Sequence, residues 1–457
     1  MKPVRRIVFN KLTCLLAGIL VCLLIEPVSV AAEPRLRLII ETDAGGDPDD
    51  EQSLVRLLVY ANEFDIEGII ANRPKARDGE NKNPVRDGLG IVRAMIGAYG
   101  ECYPNLVKHD PRYPSPELLL TRTVAGYNDI DDGVELIIQA IDSNDPRPIW
   151  FSNWGTDNGA AESCLKRALD RVLLERGQVG YAAFKSRLRL SSADKFADHT
   201  TEIEPPFSFW LDASHPPLDG KRWYHRFSAL TATAGGFDIE RDVRKAHGPL
   251  GALYPVNTGL PQKEGDTMMF LYLVPTGMND PVEPTWGSWG GRYGLNPAFG
   301  ERHYYWANQS DTWQGSTHRD NTVARWAAAL QNDFAARMDW CVADTYEKAN
   351  HAPTAALNGD DSKHILRIQA RSGEAVSLSS AGSSDPDGKS ITGKWYVYPE
   401  SGTFSGDVKL TATSGSQASF VAPPVDRPTT IHIILEVSDN GVPPLATYRR
   451  AVVAVMP

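Results

Sequence analysis

The chain has 457 residues, of which 42% are hydrophobic, 23% charged and 9% aromatic; this is ordinary globular usage and excludes wholesale disorder and a multi-span membrane protein. Its length accommodates two or three domains with a sizeable core. The formal charge of −10, with no block of basic residues against it, lacks the counterion-release footprint of a nucleic-acid binder, so no nucleic-acid partner is expected.

The chain opens on Lys2, Arg5, Arg6 and Lys11, continues with the apolar run Leu12 to Ile25 and then reads Val28-Ser29-Val30-Ala31-Ala32. A basic start, a short apolar run and small residues at the cut site predict a signal peptide over residues 1–32. The apolar run falls short of the roughly 20 residues a membrane span needs. Export to the periplasm or the medium, with no anchor left after cleavage, is the expectation. Cys14 and Cys22 leave with the leader, and Cys102, Cys164 and Cys341 remain. Three widely spaced cysteines make no disulfide framework and have no metal-ligand spacing, although one bridge is open to them.

Over residues 33–350 apolar strands alternate with helical patterns. Leu36 to Ile40 reads as a buried strand, Gln52 to Glu63 as a helix, Ile66 to Ala71 as a second strand and Val85 to Tyr99 as a second helix. Val134 to Asp142 is a further helix feeding the strand Pro148 to Ser152, Ala160 to Glu175 follows as helix, and Asn321 to Asp344 reads as one long closing helix. This alternation predicts an α/β domain, a mostly parallel sheet flanked by helices. Over residues 351–457 the composition shifts to Ser, Thr and Gly with short alternating strands at Ala375 to Leu378, Gly393 to Val397, Ala418 to Val421, Thr430 to Val437 and Ala451 to Val455. That pattern predicts an all-β, immunoglobulin-like sandwich. Asp385-Pro386-Asp387-Gly388 and Asp439-Asn440-Gly441 read as its turns.

The first strand runs into Glu41-Thr42-Asp43-Ala44-Gly45-Gly46-Asp47-Pro48-Asp49-Asp50, directly before a helix. Loops at the carboxyl end of a parallel strand face the crevice where open α/β sheets bind ligands. Two carboxylates about 4 Å apart repel by about 4 kcal/mol at an effective dielectric near 20, whereas a helix N-terminus returns only about 1 kcal/mol per charge. Clustering therefore calls for a cation, protons or splayed side chains, and oxygen ligands of this kind suit calcium or magnesium. An EF-hand does not fit: counted from Asp43, its sixth and twelfth positions would be Pro48 and Leu54, where that loop needs glycine and glutamate.

A strand followed by Thr-Asp-x-Gly and then Asp-Asp entering a helix resembles the nucleoside hydrolase superfamily. Trp154-Gly155-Thr156-Asp157-Asn158-Gly159-Ala160-Ala161 is similar to that superfamily's middle segment, and Asn279-Asp280-Pro281 to its late His-Asp-Pro segment. More narrowly, Ser53 to Gly68 and Gln331 to Met338 look like the bacterial cellulose-binding, nucleoside-hydrolase-like family, which also carries a C-terminal β-sandwich. The resemblance implies one Ca2+ held by Asp43, Asp49, Asp50 and Asp280 with a backbone carbonyl near Asp157, and Asp47 able to displace a neighbour. It also implies a glycosidic-bond hydrolase in which Asp43 or Asp49 activates water. Glu41 stands where the superfamily has its first aspartate, and Asn279 where it has a histidine that helps the leaving group depart. Asparagine cannot donate a proton of useful acidity. The alternative is therefore a non-catalytic protein binding a cellulose-like polysaccharide. For a sugar, nucleoside or polysaccharide ligand, Trp286 and Trp289 are candidate stacking faces, and Asn72, Asn158 and Asn279 candidate hydroxyl partners.

Overall fold

The computed structural model describes residues 35–127, 130–155, 162–192, 210–212, 236–256, 262–296 and 303–457. The expected signal peptide, Asp157 and Asn158 lie outside them. Strand β1 (Leu36–Thr42) is buried along nearly its whole length, as befits a central parallel strand covered on both faces. It pairs in parallel with β2 (Phe64–Ala71) on one side and β4 (Ile149–Trp154) on the other. With β3 (Thr123–Ala125), β5 (Leu188–Ser192), β6 (Trp210–Asp212), β7 (Gly294–Leu295) and β8 (Tyr304–Trp306), the sheet has the order β3-β2-β1-β4-β5-β6-β8-β7, only β7 being antiparallel. Helices α1 (Asp49–Val59), α2 (Gly88–His109), α3 (Pro116–Thr121), α4 (Asp132–Asp142) and α5 (Cys164–Ser186) make the crossovers. The chain runs outward from β1 to β3 and then returns to β4 on the other side. Its topological switch point is thus the gap beyond the carboxyl ends of β1 and β4, the place where such sheets open a crevice.

Later in the chain come the short helices α6 (Gly248–Ala252), α7 (Thr267–Leu271) and α8 (Asn321–Ala324) and the longer α9 (Ala327–Trp340). The single helix expected over Asn321 to Asp344 is broken at Arg325-Trp326. There Trp326 turns to meet Tyr398 and Tyr448 edge to face at 5.8 and 5.6 Å.

The C-terminal part is a β-sandwich. One sheet has the order β11-β16-β15-β13, from Leu366–Arg371, Ala446–Met456, Thr429–Asp439 and Ile391–Val397; the other pairs β12 (Ala375–Ser379) with β14 (Gln417–Val421). β9 (Asp311–Trp313) and β10 (Ser316–His318) form a separate hairpin. The sandwich has its own core around Trp395, Phe420, Ile433, Leu435 and Val453, while Tyr398, Ile434 and Tyr448 belong to the core of the α/β part. Polar contacts interlock the two parts. Arg450, fully buried, donates to the carbonyls of Met278, Trp286 and Gly287 and to His432 Nδ1, and the Tyr398 hydroxyl donates to Asp311. Among the described residues no helix is long and apolar enough to cross a membrane.

Candidate metal centre

The loop after β1 folds back on itself through Gly45 and Gly46. Gly45 has φ of +96°, and a side chain on Gly46 would press onto the Asp43 carboxylate at 3.0 Å, so both positions exclude larger residues. The turn brings oxygens of Asp47, Asp49 and Asp50 within 4.8 Å of one another, with Asp49 and Asp50 in the first turn of α1 and almost fully buried. Asp43 lies 2.5 Å from Arg73 of the loop after β2. Asp47 pairs with Lys263, whose ammonium also sits 3.6 Å from Asp49.

Lys263 and Asp266 arrive from far along the chain, and α1 itself seats them. Gln52 Oε1 accepts from the backbone N–H of Lys263 at 2.8 Å and of Glu264 at 3.1 Å, and Ser53 meets Thr267 at 3.0 Å. One turn further on, Arg56 forms a fully buried two-pronged pair with Glu264 at 2.6 and 3.1 Å. Glu264 also accepts from Tyr254, Gln262 and Thr267 at 2.7 to 2.9 Å. The helix that carries Asp49 and Asp50 thus clamps the segment that carries Asp266, whose charge acts on both.

Burial pushes the Asp49 and Asp50 carboxyls well above the ordinary carboxylate range, and the charge of Asp266 adds to both; Lys263 opposes it at Asp49 and donation from Thr42 opposes it at Asp50. Asp43 is raised more modestly, because Arg73 works against its desolvation. Asp43, Asp47, Asp49, Asp50 and Asp266 face Arg73, Lys263 and the charge of Arg77, so carboxylates outnumber these cations. One buried oxygen here, Asp49 Oδ1, has no hydrogen-bond partner. A buried acceptor without a donor, among hard oxygen ligands with excess negative charge, fits a cation such as calcium.

The family described as cellulose-binding Sde182, nucleoside hydrolase-like domain matches residues 37–293. The chain belongs to this family. Residues 375–455 match the C-terminal domain of the cellulose-binding protein Sde0182. A solved structure, a nucleoside hydrolase-related hypothetical protein from Saccharophagus degradans that is associated with carbohydrate metabolism, is 32% identical; the match covers 93% of this chain and 100% of that one, with a TM-score of 0.72. Comparison with curated proteins gives no match.

Within this nucleoside-hydrolase-like fold the expected residues divide. Asp43, Asp47, Asp49 and Asp50 converge in one loop. Asp280 does not join them: its Oδ1 accepts from the Val282 N–H and its Oδ2 lies 3.5 Å from Arg367 of the sandwich. The late acid whose charge acts on Asp49 and Asp50 is Asp266. Asn279 ties its own loop, accepting from Thr276 and donating to the Tyr272 carbonyl at 3.0 Å. Trp286 and Trp289 are interior rather than stacking platforms. The Trp286 ring meets His432 edge-on at 5.0 Å with Arg367 over it at 4.9 Å, and Trp289 is 3% exposed in the core. Asn72 does stand at the crevice floor, donating to Glu41 at 2.7 Å, and its Oδ1 is buried without a partner. Glu41 is consumed by structure, accepting from Ser163 and from the Cys164 N–H at the start of α5, both at 2.6 Å.

Proposed function

We propose that this is an exported carbohydrate-active protein that binds one calcium ion in the crevice beyond β1 and hydrolyses an N- or O-glycosidic bond in a small sugar or glycan fragment. The observation that carries the reading is the unpartnered, buried Asp49 Oδ1 within a carboxylate cluster at the switch point of the sheet. Asp47, Asp49, Asp50 and Asp266 would hold the ion. When bound, it supplies polarisation of a water and an anchor for sugar hydroxyls.

The chain's own groups do the rest. Asp49 is the base in this reading, a buried carboxylate within the cluster beside which the water would be polarised. Asp43, gripped by Arg73, positions the turn rather than moving a proton. Asn72 Oδ1 offers an acceptor to a sugar hydroxyl, and the loops carrying Arg73 and Lys263 wall the cluster from water.

One observation favours a second reading, a non-catalytic polysaccharide binder. The proton-bearing group beside the cluster is Lys263, whose pKa is raised: desolvation opposes its charge, but Asp49, Asp47 and Asp266 outweigh it. An ammonium holding its proton this firmly gives a leaving group little help.

Calorimetric calcium titration of the chelator-stripped protein, beside Asp266→Ala and Asp280→Ala, tests the site. One site lost in Asp266→Ala and kept in Asp280→Ala is expected; no binding to the wild type refutes the metal-dependent hydrolase. Turnover of aryl glycosides and nucleosides then decides between the readings. Activity abolished by Asp49→Asn supports the enzyme, whereas a calcium-loaded protein that retains cellulose and turns over nothing supports the binder.

A further inference from the structure

A second site lies where the two parts of the fold meet, away from the acidic loop. A cavity of about 500 Å³ opens there, its walls contributed by Asp339, Tyr346 and Asn350 from the end of α9 and the segment after it, and by Asp387, Lys389 and Asn440 from two turns of the sandwich. The size is within the range of small-ligand sites, roughly 300–1,000 Å³.

Two features of the wall point to a ligand. Tyr346 is the outermost ring of an aromatic stack. It lies flat on His351 with centroids 3.6 Å apart and planes 2° apart, and His351 in turn stacks on Trp340 at 5.2 Å. Asp387 fixes His351, accepting from its backbone N–H at 2.7 Å and from Nδ1–H at 2.9 Å, so the stack cannot swing. His109 also stacks on Tyr346, at 6.0 Å with 25° between planes, and among the described residues no cation lies over the ring. The second feature is Asn350. It is 5% exposed, and its amide nitrogen donates to Asp439 at 2.8 Å and to the Pro443 carbonyl at 2.9 Å, while Oδ1 has no partner. The neighbouring Gly441 leaves room for that amide, which a side chain would strike at 2.1 Å.

We infer that this groove is a saccharide-binding site in which a sugar ring stacks on Tyr346 and a sugar hydroxyl donates to Asn350 Oδ1. The inference rests on the carbohydrate reading above and gives it a location separate from the crevice. A rigid aromatic face beside an unsatisfied acceptor and several carboxylate and amide groups matches a ligand with C–H faces and many hydroxyls.

Cellohexaose, with mannohexaose beside it, is titrated calorimetrically into the full mature chain and into Tyr346→Ala and Tyr346→Phe, each checked for folding by circular dichroism. At least tenfold weaker cellohexaose or mannohexaose binding in Tyr346→Ala, with wild-type affinity in Tyr346→Phe, is the expected result. Unchanged binding in Tyr346→Ala overturns the groove and leaves the carbohydrate reading standing. No binding of either glycan to the wild type overturns the groove together with that reading.

Discussion

The segment bearing Lys263 and Asp266 is held to α1 by a buried charge pair, so neutralising one partner should loosen the centre and the fold together. Glu264→Gln keeps the shape but removes the charge facing Arg56, which is fully buried with its guanidinium 3.7 Å over the Phe334 ring. Gln331 Oε1, 2.8 Å from Arg56, cannot replace a carboxylate. Breaking a buried pair from one side typically costs about 3–5 kcal/mol, because the remaining charge stays dry and uncompensated. The reverse change, Arg56→Met, leaves Glu264 with donors from Tyr254, Gln262 and Thr267 and should cost less. The double variant should be more stable than Glu264→Gln, since it buries no orphaned charge. Guanidinium denaturation of the four proteins gives the stabilities, and calcium titration of the same set reports whether Asp266 still reaches the cluster. A loss below about 1 kcal/mol in Glu264→Gln with unchanged calcium affinity would refute the clamp, since the pair would then be neither strong nor needed for the site.

Two further outcomes follow from the seam between the parts. Burial and the Arg450 charge beside it hold His432 down to about 2, so it is neutral when folded and takes up a proton only on unfolding. Its contribution is complete above the unfolded value near 6.5 and is lost as pH falls toward 2, at about 1.4 kcal/mol per pH unit. Between pH 6.5 and 4.5 the wild type should therefore lose about 2.3 kcal/mol more than His432→Asn; parallel stability profiles for the two would contradict this. Gly277 has φ of +85° and its missing side chain faces the Tyr448 carbonyl, which a Cβ would meet at 1.9 Å. Gly277→Ala should thus lower the melting temperature by several degrees, and an unchanged melting curve would show that the seam yields.

The strand, acidic loop and helix at the start of the α/β part are legible because their signals are local: an apolar run, two glycines and carboxylates at a helix start. Asp266 escapes the same reading. Its recruitment depends on Arg56 finding Glu264 across 208 residues, and no periodicity reports such a pairing. The available clue is the run Lys263-Glu264-Gly265-Asp266-Thr267, charged residues immediately before the buried helix α7. Asp280 misleads because Asn-Asp-Pro has the composition of a site motif while its side chain serves the contact with Arg367. Trp286 and Trp289 sit in a glycine-rich loop that reads as exposed until the sandwich is laid over it. The break at Arg325-Trp326 has the same origin, since Trp326 packs against residues more than 70 positions away.

The hold that Arg450 has on the carbonyls of Met278, Trp286 and Gly287 bears on how such a chain can be inherited and engineered. Those acceptors are main-chain groups, so what Arg450 reads is the path of the segment from 276 to 287 and not its side chains. That segment can drift in sequence while its trace stays fixed, but the β-sandwich cannot be grafted onto another domain without it. A fusion that transplants residues 351–457 alone would leave Arg450 and the apolar groups around it without the surface that covers them, whereas one that starts upstream of residue 276 would carry the complementary surface along.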